Sequence, residues 1–369
     1  MAVSFGFARY GFGLFVPELR AAFGLSTGAV GAITSAAYVA YLFGLLGAGA
    51  LSRRYGPRLP VLVGCACAAG GTGLVAMAGS PRVLVLGVVL AASSSGWCWA
   101  PFFDATSVLL PAAAHDRALA IISTGTTFGL VLAGPLALLC AGSTDGWRWA
   151  WAGFAAAATV TALACAPLLP ARPHVAPARG AVCSARPLWQ RSGTAPLLGL
   201  SAAFGGLGGV YFTYAVDLVR GAGLSAAWGA LLWTIIGAGG LAGLAAGHLV
   251  ARAGLGRSTA GCVLLLAAGT AALPAEPTAV LVVALSALGF GAAYMTLGAL
   301  LAMWSTRVYP DQPTGGFTLV LVAMAAGSSL APLAFTPLVG AAGLPGGFLC
   351  LAALTPLGAL LRPARPHRR

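Results

Sequence analysis

Gly49 to Arg58 reads GALSRRYGPR, and Gly247 to Arg257 reads GHLVARAGLGR. Each stretch follows a long apolar run, opens Gly-x-Leu, centres on Arg-x-Gly and ends on arginine. The second begins 198 residues after the first. One basic turn repeated at matching depth implies a chain built twice on one plan. Gly56 and Gly254 are expected to supply the positive φ that a sharp reversal needs, and the arginines to cap helix-end carbonyls or a carboxylate at headgroup level. Taken singly, either turn is what any multi-span protein places in a tight loop; the matching positions carry the argument.

The composition fixes the solvent. Of 369 residues, 59% are hydrophobic and 7% charged, with a mean hydropathy of +0.92. A soluble domain carries roughly a quarter charged residues, so this is an all-α membrane protein. The 53 glycines suit it, because helices in lipid associate through close backbone packing at small residues. The net charge of +13 comes from arginines scattered through short turns, which excludes the continuous basic face of a nucleic-acid binder. Seven of the eight cysteines lie inside apolar runs, Cys183 alone in a polar stretch. With no CxxC or HExxH spacing, neither metal nor cofactor is expected.

A crossing needs about 20 apolar residues. That length yields twelve spans, near 2–20, 28–51, 59–79, 83–108, 118–140, 148–169, 196–218, 226–250, 258–274, 279–303, 316–339 and 345–361. With the N-terminus inside, fifteen arginines fall in cytoplasmic segments and four (Arg20, Arg82, Arg148, Arg220) outside, as the positive-inside rule requires. The polar stretch Pro170 to Pro196 separates the halves and holds at most a short interfacial helix at Leu188 and Trp189. The expected organisation is a six-helix bundle over 1–169, a cytoplasmic linker over 170–195, and a second six-helix bundle with a short tail over 196–369. Arg9 inside the first span argues against a cleaved signal peptide. Because that span starts at Met1, an in-frame extension upstream is to be checked in the genomic sequence.

The halves align further. PELRAAFGLS (Pro17 to Ser26) matches VDLVRGAGLS (Val216 to Ser225), and the fourth and tenth spans bring Trp99 opposite Tyr294. Paired six-helix halves suit a carrier whose central site opens to alternate sides. With the signature turn G-x-L-a-D-R-x-G-R-R set against Gly49 to Arg58, the chain resembles the major facilitator superfamily. Its opening, FARYGFGLFVPEL and then GLSTGAVGAITSAAYVAYLFG, is similar to a bacterial branch described as drug, sugar or small-metabolite efflux carriers. Two departures stand out. The signature aspartate is Arg53, and Ala251 in the second copy, so the family's lock of that carboxylate on a helix N-terminus is expected to be replaced, with Arg54 or Arg58 pairing with Asp104 or Asp116. The fifth span keeps the Gly134-Pro135 step of the antiporter helix without the glycines that follow it.

The resemblance places the first, fourth, seventh and tenth spans around the cavity. Candidate substrate contacts are therefore Arg9, Tyr10, Trp97, Trp99, Tyr211, Phe212, Tyr214 and Tyr294, with Tyr38 and Tyr41 weaker. Each aromatic has the alternative of anchoring at the interface or packing in the core. Arg9 is the sharpest of them. A guanidinium at mid-membrane costs at least about 2.5 kcal/mol, so it binds a substrate, sits in a structural ion pair, or marks a misplaced first span. The seventh span has no second arginine, which disfavours a two-arginine phosphate clamp. The gating candidates are Gly49, Arg53, Arg54, Gly56 and Arg58, then Gly247, Arg252, Gly254 and Arg257. Proton coupling needs a buried carboxylate, for which Asp104, Glu18 and Asp217 stand; solvated helix-end charges are the alternative for the last two.

The expected function is secondary transport of a small organic molecule: proton-coupled efflux by alternating access, from a multi-pass monomer in the bacterial plasma membrane with both termini cytoplasmic. Uptake or facilitated diffusion of an organic anion is the alternative. A membrane-embedded enzyme or a receptor is a distant third, because the four histidines are scattered and no nucleophile has a base beside it.

Overall fold

The computed structural model describes residues 1–109, 111–140, 145–170, 188, 191–361 and 363, with the side chains of 103, 104, 107, 108, 112–120, 123 and 314 outside that description. All regular elements among these residues are helical. The first crossing, α1, comes in three pieces, Ala2–Arg9, Gly11–Leu14 and Val16–Phe23. It is followed by α2 (Thr27–Tyr55), α3 (Arg58–Ala76), α4 (Pro81–Leu109), α5 (Ala112–Cys140) and α6 (Gly146–Leu168). The second half has α7 (Thr194–Gly221), α8 (Ala226–Gly240 continued through a 3-10 stretch into Ala246–Ala253), α9 (Leu255–Ala275) and α10 (Val280–Val308). Pro313–Leu354 is one run only nominally, since Gly343 leaves helical geometry with φ 69° and ψ 173°. It divides into α11 (313–342) and α12 (344–354), the latter extended by a 3-10 turn. Twelve crossings result. Among the described residues nine helices meet the length and hydropathy of a crossing unaided; the broken α1, α5, and the division of the ninth at Gly343 bring the number to twelve.

The repeat is expressed in the backbone. Gly56 (φ 80°, ψ 173°) and Gly254 (φ 79°, ψ 154°) end α2 and α8 in the same conformation. Each donates its N–H at 2.9 Å to the carbonyl four residues back, Ser52 and Val250. A side chain is strained at that φ, which is why both basic turns carry glycine there. The aligned GLS segments repeat the lesson at the opposite end of the bundle. Gly24 and Gly223 take φ 63° and 110°, and Leu25 and Leu224 donate back to Arg20 and Val219. This is the glycine-terminated helix end in which a later N–H satisfies an orphaned carbonyl. Ser26 then caps α2, its Oγ accepting from Ala29 N–H at 3.1 Å, the stabilising geometry at a helix start.

Within the first half α2 packs on α4, α4 on α3 and α3 on α6; within the second α8 packs on α10 and α10 on α9, with α7 along α11. The halves meet along α2 with α11, α5 with α8 and α1 with α7. The last contact is the tightest, because a Cβ on Gly13 would overlap the Phe212 carbonyl oxygen of α7. Gly13→Ala is therefore expected to force α1 from α7, at the 1–3 kcal/mol typical of about one methyl too many. Hydrogen-deuterium exchange read by mass spectrometry should show faster exchange over Val16–Phe23 and the C-terminal turns of α7; unchanged exchange there would mean that the two helices are not in register as described.

Candidate functional site

Arg9 closes the first piece of α1, whose backbone is π-helical. The Tyr10 N–H reaches back five residues to Phe5 at 3.0 Å, and a further turn at Phe15 restarts the helix. Such irregular backbone persists in a membrane only where protein or a cavity surrounds it, and π-bulges concentrate at functional sites. The wider turn carries Arg9 inward among rings. Its guanidinium carbon lies 3.9 Å from the Tyr41 ring centroid, 4.8 Å from that of Tyr38 and 5.3 Å from those of Phe5 and Tyr10. These cation–π contacts are worth more where water is absent. Nε is buried without a hydrogen-bond partner, and Arg9 joins no ion pair among the described residues.

Arg9 and Tyr10 line a pocket with Thr34 and Tyr38 of α2, Val88 and Ala92 of α4, and Phe212 and Thr213 of α7. Both halves therefore contribute. Thr213 bridges them, its Oγ1 donating to Thr34 Oγ1 at 3.3 Å, and the Tyr10 and Phe212 rings meet across the junction at 4.3 Å. Tyr294 stands behind Phe212, ring centroids 5.2 Å apart, and stacks on Phe204 and Phe290.

Several sequence candidates fall elsewhere. Trp97 lies against α2, with ring atoms 2.6 and 2.9 Å from where a Gly47 Cβ would stand, so it fills a helix-packing seam instead of lining the pocket. Trp99 meets Phe5 edge-on, ring centroids 5.3 Å apart, and is not among the pocket's lining residues. Tyr211 is fully buried in the second half, stacked on Phe290 with centroids 3.5 Å apart. Tyr214 donates its hydroxyl to the Thr27 carbonyl at 3.1 Å and so ties α7 to α2. In the described state Tyr211 and Tyr214 are buried and the two tryptophans half-buried, and none of the four lines this pocket. Conversely Tyr38 and Tyr41, ranked as weaker, flank Arg9. Thr34 and Thr213 carried no charge or motif to single them out, and Phe5 was signalled only by standing one helical turn before Arg9.

Glu18 and Asp217 are not solvated helix-end charges. Arg220 donates to Glu18 and Arg20 to Asp217, so each bridge joins α1 to α7 and the two cross. All four side chains are between 12% and 32% exposed, which places them in the mouth of the bundle at the end opposite the basic turns. The signal was in the aligned segments, where each copy carries one acid and one arginine. Beside the Glu18–Arg220 bridge a cleft runs between α1, α5, α7 and α8. The side chain of Asp104 lies outside the described residues. Its backbone is twelve residues beyond Ala92 in α4, about 18 Å along the helix from the Arg9 pocket.

In the basic turns, Arg53 folds back so that its Nη1 is 3.7 Å from the Cβ position of Gly49, and Arg54 lies over the Tyr55 ring at 5.2 Å. Among the described residues Arg53, Arg54, Arg58, Arg252 and Arg257 join no ion pair; the expected partners Asp104 and Asp116 have side chains outside that set. Gly49 and Gly247 lie within α2 and α8. Trp189 and Cys183 are likewise outside the described residues, while Leu188 accepts from Thr194 Oγ1 at 3.1 Å and so helps start α7.

Two helical halves around a shared, mostly apolar pocket that holds one guanidinium, joined at one end by ion pairs, have the architecture of a membrane carrier. A family model described as Major Facilitator Superfamily matches residues 1–332, and the chain belongs to that family of small-molecule transporters. No curated protein sequence matches it. Among solved structures it is similar to a D-xylose-proton symporter, with 19% identity and a TM-score of 0.78 over 97% of this chain and 94% of that one. The nucleoside transporter NupG matches at 13% identity and a TM-score of 0.77, covering 97% and 95% of the two chains. An inward open conformation of the xylose transporter XylE from E. coli matches at 15% and 0.77, covering 100% and 95%. At these identities the likeness is one of fold.

Proposed function

We propose that this carrier exports a small organic molecule in exchange for protons, by rocking of its two six-helix bundles, over 1–169 and 196–369, about the Arg9 pocket. The observation that carries the reading is the placement of a half-buried guanidinium, its Nε without a partner, where both halves contribute walls, beneath an end joined by crossed ion pairs. A charge that costs about 2.5 kcal/mol or more to bury is retained where a ligand bridging the halves would meet it. The arginine-rich end is assigned to the cytoplasm of a bacterial plasma membrane by the fifteen-to-four bias, with both termini on that side. The described state is then closed outwards. Export is supported by the likeness of the opening segment to efflux carriers and by the Gly134-Pro135 step, where α5 closes on Ala230 and Thr234 of α8. Glu18 and Asp217, held by arginines when the outer end is shut, are freed to take protons when it opens; Asp104 is the third candidate. Both halves lie in one chain, so a monomer suffices. The second reading, uptake or facilitated diffusion of an organic anion, is favoured by the absence of an acid paired with Arg9 among the described side chains.

Everted and right-side-out vesicles loaded by an imposed pH gradient, incubated with a metabolite panel and analysed by mass spectrometry, separate the two. Proton-exchange export predicts accumulation of one or a few compounds in acid-filled everted vesicles, lost when the gradient is collapsed. Accumulation confined to right-side-out vesicles would reverse the direction, and indifference to the gradient would remove the coupling.

A further inference from the structure

The geometry points to a substrate class for the Arg9 pocket: a small, flat, apolar body carrying a single negative group, carboxylate or sulfonate. This rests on the carrier reading above and deepens it.

Charge comes first. Among the described side chains, Glu18, Asp145, Asp217 and Asp311 are taken by Arg220, Arg148, Arg20 and Arg191, Glu276 caps the far end of α9, and the backbone of Asp104 is about 18 Å from the pocket along α4. Arg9 therefore brings an uncompensated positive charge to a buried site. Aromatic cages ordinarily recognise cations; this one already holds its cation, so a positively charged ligand is repelled and an anion attracted.

Geometry narrows the choice. The rings of Tyr38 and Tyr41 cover the face of the guanidinium at 4.8 and 3.9 Å. A ligand is left the edge, where Nε is buried without a partner. Nε and the neighbouring terminal nitrogen form a two-donor fork that matches the paired oxygens of a carboxylate or sulfonate. Elsewhere the walls are rings, alanines, Val88 and two threonine hydroxyls. With no second cation among those walls, a second negative group would go unpaired in low dielectric. Tyr10 and Phe212, 4.3 Å apart and tilted by 35°, pack on each other across the junction, and their faces become available to a flat body when the halves part. In the described state the cavity is about 20 Å³, room for about one water and far below the roughly 300–1,000 Å³ of small-molecule sites, so the ligand is admitted only as the two halves part.

Benzoate, isosteric neutral benzamide and cationic benzylammonium test this on the purified full chain in lipid nanodiscs, read by thermal shift and by tryptophan fluorescence. Half-saturation by benzoate is expected at a concentration at least about tenfold below that of benzamide, with no response to benzylammonium. Arg9→Gln should erase the difference, and Arg9→Lys should keep a weaker preference for benzoate, having charge without the fork. Equal responses to benzoate and benzamide, no response to benzoate, or undiminished discrimination in Arg9→Gln would overturn the assignment. Should Arg9→Gln fail to fold, the three probes on the unaltered chain and on Arg9→Lys decide alone. Ligand-free exchange of the two ends, followed by hydrogen-deuterium exchange, reports on the carrier reading separately. Alternation without anion preference removes only the substrate class, whereas absence of alternation removes the carrier reading.

Discussion

Arg9→Ala is expected to abolish transport, by at least about 100-fold, while membrane insertion and thermal stability are kept or improved. The two halves of that expectation have separate causes. Removing a guanidinium from mid-membrane relieves about 2.5 kcal/mol or more of insertion cost. The four rings it leaves behind, Phe5, Tyr10, Tyr38 and Tyr41, can close on one another with little penalty. What is lost is a buried, charge-assisted contact to the ligand, for which truncation of one partner costs about 2–5 kcal/mol. Flux into vesicles and a melting curve on the same preparation give both numbers. Normal flux in Arg9→Ala would remove the pocket from the transport path. A collapse of stability would show instead that Arg9 is structural, its charge met within the protein.

The paired substitution Glu18→Gln with Asp217→Asn is expected to shift the resting carrier toward the state open at the end opposite the basic turns. Partly exposed bridges contribute about 0.2–1 kcal/mol each, so losing two moves the equilibrium by about 0.4–2 kcal/mol, roughly two- to thirtyfold. Exchange at the outer ends of α1 and α7 should quicken while the basic end becomes better protected. Exchanging the partners, as Glu18→Arg with Arg220→Glu, rebuilds the bridge in reverse and should restore the original pattern. If the neutralised chain exchanges like the parent at both ends, Gly13 against Phe212 holds the halves together and the bridges are ornamental.

Much of this was legible before any coordinates. Apolar length marked the crossings because lipid leaves a backbone no partner but itself. The matched turns exposed the repeat because glycine alone accepts the φ that Gly56 and Gly254 adopt. Arg9 declared itself through the cost of its charge. The aromatics were another matter. Composition cannot tell the pocket-facing side of α7 from its core side, so Phe212 lines the pocket while Tyr211, its neighbour, is stacked in the second half. Nor could the π-helical start of α1 be foreseen, since no proline or insertion marks it, and that wider turn sets which rings Arg9 meets. The crossed bridges needed the aligned segments to be read as partners across space as well as copies along the chain.

That crossing has an electrical consequence. Each half brings one carboxylate and one guanidinium to the mouth, so when the bundles part there, neither moves a net charge through the membrane field. The resting potential, worth about 2.3 kcal/mol per charge per 100 mV, thus has no lever on the parting of this latch; voltage enters the cycle with the protons its carboxylates take up once free, and with the solitary guanidinium below and whatever neutralises it.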